Sequence, residues 1–273
     1  MKIIQHTNKT FSQMMGYTLV AKTGEVLVID GGERGDRDEL ARIVKSVGGH
    51  IDLWLITHPH CDHHNAIMEL ISNPVGITYD RLGASQVTDE WARLAGSSDI
   101  HEVFEWNAFA RENLDERYFD LEKGMVFELG SMKIEVLAVA NPELLMNPIN
   151  NQSVVLRITE GDFVFLVLGD LGVEGGEKCL ASGVDVRADG VQMAHHGQHG
   201  VNENFYKAVA PKYAFWSTPD WLWFNRDANG EDGKGPFATQ IVAGWMEKLG
   251  TENIIDFENS VVFDTETRKT EKY

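Results

Sequence analysis

The chain has 273 residues, long for one ordinary domain and short for two, a length that one elaborated α/β domain reaches undivided. Lys+Arg number 24 against 42 Asp+Glu, and the resulting net charge of −18 argues against a dedicated binder of nucleic-acid duplexes or of anionic membrane surfaces. A hydrophobic content of 43% and an aromatic content of 10% support a sizeable core and exclude a disordered chain.

Cys61 and Cys179 are too few for a disulfide scaffold and read as reduced thiols. The opening residues carry no apolar export core, and no apolar run nears the roughly 20 residues that span a bilayer, so the expected location is the cytoplasm.

In chain order, residues 17–21 and 25–30 read as strands around the turn Lys22-Thr23-Gly24. Leu40, Ile43, Val44 and Val47 recur at helical spacing, which predicts a helix over 37–47 stopped by Gly48-Gly49. The run 51–57 is apolar without alternation, as in an interior strand covered on both faces, and delivers His58-Pro59-His60-Cys61-Asp62-His63-His64 to a sheet edge. Asn65 can cap the helix that follows.

Residues 80–122 turn charged and helical, with Trp91, Leu94, Val103, Phe104, Trp106, Phe109 and Leu114 as expected buried positions, and read as a helical insertion. Strands are expected at 125–129, 133–139, 153–159, 162–168 and 190–194. Further on come a helix at 203–209, a strand at 213–217, a Gly/Asp-rich loop at 225–236, a helix at 237–249 and strands at 253–257 and 261–264. Interleaved strands and helices with no internal repeat predict one layered α/β domain over 1–273.

Four of the ten histidines fall within seven residues. Histidines that merely satisfy a core hydrogen bond occur singly, whereas so dense a cluster is costly to bury unless something binds its lone pairs. The spacing His58-x-His60-x-Asp62-His63 cannot place every side chain on one ion without strain. It suits two adjacent ions, His58 and His60 serving one, Asp62 and His63 the other.

The stretch Thr57–His63, with Ile29-Asp30-Gly31-Gly32 before it and Leu168-Gly169-Asp170 and Ala194-His195-His196-Gly197 after it, resembles the metallo-β-lactamase superfamily and its HxHxDH motif. The resemblance implies an αββα sandwich with two divalent metal ions at one edge, zinc foremost and manganese or iron as alternatives. It implies Asp170 as the carboxylate shared by both ions and one of His195 and His196 as the last ligand of the second. The reading favours His195 as ligand, with His196 reaching substrate or a supporting position, and Asp30 orienting the ligand loop. His64 and His199 read as a pocket or supporting residue and as a solvent-exposed side chain.

Members of the superfamily commonly supply the first ion with a third histidine between the cluster and the shared aspartate. Here only His101 lies in that interval, inside the helical insertion. The expected position holds Asn147–Val155, and its Asn150-Asn151-x-Ser153 element resembles the branch containing the hydrolase domains of bacterial DNA-uptake channel proteins and the choline-phosphate esterases. An amide oxygen is a weak donor, so the first site is expected to bind metal less tightly or to be completed by water.

Zinc lowers the pKa of bound water toward about 7 and so makes a hydroxide available at neutral pH. The expected function is a metal-dependent hydrolase of a small phosphodiester or ester. Asp62 would orient the nucleophile, and His196 or water would protonate the leaving group. The alternative is a metal-binding or sensing domain without catalysis. The aromatic run 213–225 reads either as core or as a pocket wall, and the acidic loop 227–234 as a solvated surface.

Overall fold

The computed structural model describes residues 1–273 as two stacked sheets with helices on both outer faces. The first sheet runs in the order Lys269–Lys272, Val261–Asp264, Lys2–Gln5, Gly16–Val20, Val26–Asp30, Leu53–Ile56, Leu82–Ala84, Tyr118–Asp120. The second runs Glu252–Ile254, Tyr213–Phe215, Gly190–Gln192, Phe163–Val167, Val155–Glu160, Met132–Ala138, Val126–Leu129. A separate parallel pair, His50–Ile51 with Thr78–Tyr79, lies beside the first sheet.

The apolar strands owe their lack of alternation to burial on both faces. Leu27, Ile29, Leu53 and Leu55 point into the core between the sheets, where they meet Leu156, Phe163, Phe165 and Phe215 from the second sheet. Val26, Val28, Trp54 and Ile56 point outward and pack under the helices Arg37–Ser46 and Cys61–Ser72. The second sheet's outer face buries Leu166, Val191 and Ala214 against Cys179, Phe205, Tyr206, Val242 and Met246 from the helices Val173–Ala181, Glu203–Val209 and Thr239–Leu249.

Each sheet has a parallel half: Val26–Asp30, Leu53–Ile56, Leu82–Ala84 and Tyr118–Asp120 in the first, Phe163–Val167, Gly190–Gln192, Tyr213–Phe215 and Glu252–Ile254 in the second. Loops leaving the carboxyl ends of such strands are where α/β sheets gather their ligands. Here those loops carry His58–His60, Asp170, the 195–196 pair and Ser217.

Several expectations are corrected. The helix after the histidine cluster begins at Cys61, not after Asn65, so Asp62, His63 and His64 sit on its first turn. Its start is fixed from afar by Glu102, whose Oε2 accepts the Cys61 N–H at 2.7 Å. Within 80–122, helices occupy Asp89–Ala95 and Ile100–Asn113, while the flanks Leu82–Ala84 and Tyr118–Asp120 are strands of the first sheet. Val103 and Trp106 are buried as expected, but Leu94 is 75% exposed, on the outer side of a short helix.

The strand Lys2–Gln5, the helix Val173–Ala181 and the final strand Lys269–Lys272 carry no signal that the sequence reading used. Both cysteines are free, and no helix is long and apolar enough to cross a membrane.

Candidate metal centre

The strand Leu53–Ile56 ends at Thr57, and the chain passes through His58 and His60 into the helix Cys61–Ser72. The strand Phe163–Val167 ends in a turn whose Gly169 has φ +54 and leaves no room for a side chain, because a Cβ would stand 2.9 Å from Ser153 Oγ and Thr57 Cβ. The sharp turn brings Asp170 inward, with its N–H bonded to Ser153 Oγ at 2.9 Å. After Gly190–Gln192 the backbone turns left-handed at His195 (φ 53, ψ 51) and His196 (φ 53, ψ 22). Two successive side-chain-bearing residues in that region are disfavoured and persist only where surrounding contacts impose them.

Gln192 supplies part of that constraint. Its Oε1 accepts the Leu168 N–H at 2.7 Å, and its Nε2 donates to Gly169 O at 2.9 Å and Met193 O at 2.7 Å. The His195 N–H also bonds Gly169 O, at 3.1 Å. The Asp170 turn and the histidine turn are thus stitched together by backbone and amide contacts.

Two donor groups meet at Asp170. In one, Asp62, His63, Asp170 and His196 converge; in the other, His58 and His60 join Asp170. His196 Nε2 lies 2.9 Å from Asp62 Oδ2 and 3.5 Å from Asp170 Oδ2, and His63 Nε2 lies 3.3 Å from Asp170 Oδ1. His58 Nε2 is 4.0 Å from Asp170 Oδ2 and 2.9 Å from His60 Nδ1.

The sequence reading favoured His195 as the ligand of the second group and turned His196 toward substrate or a supporting position; the structure brings His196 together with Asp62, His63 and Asp170. His196 is wholly buried, with Nδ1 fixed on the Ser217 carbonyl at 2.8 Å, so that only Nε2 is presented, and it faces the carboxylates. His195 stands at the rim, its side chain 19% exposed, with Nε2 3.8 Å from Asp170 Oδ2.

The other residues separate clearly. Asp30 accepts Thr57 N at 2.8 Å and Thr57 Oγ1 at 2.7 Å, and its Oδ2 holds His63 Nδ1 at 2.8 Å, so the far nitrogen of His63 points at Asp170. Asn151 caps the helix Val173–Ala181, its Oδ1 accepting Gly172 N and Gly175 N at 3.1 and 3.0 Å, and so cannot serve as a ligand. Asn150 lies beside His195.

His101 is 71% exposed, its Nε2 4.0 Å from Glu102 Oε1, and it belongs to neither donor group. His64 is buried against Trp106, ring centroids 5.4 Å apart, and His199 is exposed. In the aromatic run, Trp216 and Trp223 pack edge to face at 4.9 Å as core, while Trp221 is half-buried against Phe237. Thr57, Ser153, Gln192 and Ser217 were missed as supporting residues, since a lone hydroxyl or amide in a sequence gives no sign of the distant group it holds.

The charges explain what the centre requires. Asp30, Asp62 and Asp170 are buried or nearly so, and their ion-pair partners are all histidines. Burial would drive the proton off His196, but Asp170 and Asp62 outweigh it and raise its pKa to about 10; His63 is likewise held well above the ordinary range by Asp170, Asp30 and Asp62. Burial pushes His58 well below it, helped by the neighbouring His63 and His60. Asp62 and Asp170, despite burial, are held below the usual carboxylate range by these imidazoles.

His63 Nε2, His196 Nε2 and Asp170 Oδ1 are buried and close, yet none is aligned for a hydrogen bond. Nitrogen and oxygen donors clustered without satisfying one another, around carboxylates that lack a Lys or Arg, fit a divalent cation.

No family model matches the chain. It is 28% identical over 99 residues to ComE operon protein 3 of Bacillus subtilis (strain 168); the match spans 36% of this chain and 12% of that protein. The metallo-β-lactamase fold protein YhfI from Bacillus subtilis superposes with a TM-score of 0.58 at 12% identity, over 97% of this chain and 100% of that one. An E377D mutant of the CmlA β-hydroxylase superposes with a TM-score of 0.57 at 12% identity, over 100% of this chain and 54% of that one. A fold shared with a hydroxylase leaves the reaction to be argued from the site itself. In its two sheets, its helical layers and its loop-borne donor groups, the chain is a metallo-β-lactamase-fold protein.

Proposed function

We propose that this chain is a metal-dependent hydrolase of a small phosphodiester or carboxylic ester, with two divalent ions as cofactors and zinc as the favoured metal. The observation that carries the reading is the pair of donor groups meeting at one buried carboxylate, Asp170, with no basic side chain to neutralise them. His58, His60 and Asp170 would hold one ion, and Asp62, His63, Asp170 and His196 the other. The chemistry a divalent cation supplies in such a donor set is to bring the pKa of water toward about 7 and to polarise the oxygen of the group under attack.

The protein's own side chains have separable tasks. Asp62 is the carboxylate with an open edge, 13% exposed where Asp170 is 2%, and it orients the attacking water and accepts its proton. His196 is locked by the Ser217 carbonyl and keeps its Nε2 on Asp62 and Asp170. Asp30 and Thr57 hold His63 in register. A net charge of −18 favours small substrates over long polyanions, and the two free cysteines suit a reducing, cytoplasmic location.

The test is turnover of bis-p-nitrophenyl phosphate and of nitrophenyl esters by protein stripped with chelator and then reloaded with zinc or manganese, beside Asp62→Ala. Metal-dependent turnover that the substitution abolishes is the expected result. Metal binding without turnover of either substrate class would instead identify a metal-binding domain without this catalysis.

A further inference from the structure

The group His58, His60 and Asp170 has one imidazole fewer than a closed four-donor site requires, and the interval from His64 to Asp170 holds no histidine except the exposed His101. Asn151 is committed to the helix it caps. Asn150 donates its amide N–H to Asn147 Oδ1 at 2.9 Å, and the same nitrogen lies 3.4 Å from His195 Nε2.

The two left-handed residues send their rings to different places. The ring centroids of His195 and His196 are 6.3 Å apart. His196 Nε2 lies within 4.0 Å of both Asp62 and Asp170, whereas within that distance His195 Nε2 meets the carboxylate of Asp170 only. The Asp170 oxygen it approaches, Oδ2, is also the one that His58 Nε2 approaches.

We infer that the adjacent histidines are divided between the two donor groups, His196 completing Asp62, His63 and Asp170, and His195 completing His58, His60 and Asp170. The strained turn is then the device by which one loop serves two ions, and it replaces a ligand that the chain lacks elsewhere. Both sites become four-donor sites, and the weak first site expected from the sequence is not expected to be weak. The inference rests on the two-ion reading above.

The test is zinc binding by the full chain, stripped and then titrated in competition with a chromophoric chelator, independent of any activity. His195→Asn is the main variant, because Asn tolerates the left-handed backbone while replacing imidazole by a weak donor; His195→Gly removes the donor without strain. Thermal unfolding of the stripped proteins checks that both variants fold.

The wild type is expected to bind two equivalents. Each variant should lose tenfold or more in affinity for one equivalent and keep the other, roughly the least effect expected where even supporting residues matter tenfold or more. Adding His58→Ala to His195→Asn should weaken no further equivalent, whereas adding His196→Ala should weaken the second.

Two wild-type equivalents with unchanged affinity in both His195 variants would overturn the inference and leave the two-ion reading standing, as would His195 and His196 variants that weaken the same equivalent. A wild type that binds one equivalent or none would overturn both.

Discussion

Asp30 is wholly buried, yet it fixes the loop and one ring at once. Its backbone is left-handed, at φ 55, and its two oxygens hold Thr57 and His63 from behind. Asp30→Asn keeps a residue at home in that conformation but sets an amide against His63 Nδ1. Zinc affinity should fall about 10- to 100-fold by chelator competition, with secondary structure unchanged.

Glu39 is the corresponding case away from the centre. Burial pushes its carboxyl up, but Arg42 at 2.8 and 2.9 Å and Ser260 at 2.7 Å overcome this and hold its pKa at about 2. A carboxyl lowered on folding adds stability above its unfolded pKa and loses it as the pH drops through the folded value. Glu39→Gln should therefore lower stability at pH 7 by about 1–3 kcal/mol, and the deficit in urea unfolding should shrink between about pH 4.5 and 2. A deficit equal at pH 7 and pH 3 would contradict this.

Among the elements, the helix Cys61–Ser72 carries the candidate ligands Asp62 and His63 on its first turn, and its free N–H at Cys61 is capped by Glu102 from the helix Ile100–Asn113. Glu102→Ala removes both the hydrogen bond and a negative charge at a helix start. It should cost about 1 kcal/mol, seen as a drop of about 2–4 °C in Tm, while His101→Ala one residue earlier should be silent.

The same cap shows why this boundary was unreadable. Asn65 is a sound local candidate, but the group that sets the start lies 41 residues away. Elements stated by their own periodicity, such as Arg37–Ser46 and Glu203–Val209, were legible. The helix Val173–Ala181 was not, because two adjacent glycines, Gly175 and Gly176, are poor helix formers. Gly176 instead admits Val201, which would stand 2.8 Å from an added Cβ. Likewise the cluster at 58–63 announced itself by density, whereas the different placement of the His195 and His196 rings depends on a left-handed backbone and a carbonyl 21 residues on.

At the scale of the molecule, the donor groups draw on both sheets: His58, His60, Asp62 and His63 follow a strand of the first, Asp170 and His196 follow strands of the second. Cations held there would join halves that otherwise adhere through the apolar layer between them. Metal at about 100 times its Kd should add about 2.7 kcal/mol to stability, so stripping it should lower Tm in a dose-dependent manner. A Tm indifferent to zinc and chelator would contradict the placement of the centre across the two sheets.

The amide of Gln192, bonded to Leu168, Gly169 and Met193, ties the Asp170 turn to the histidine turn through space, across a connection of 24 residues between Asp170 and His195. That connection passes through exposed Ser182 and Gly183. A protease nick there would sever the covalent path but not the spatial one, and the two fragments should stay associated as a complex.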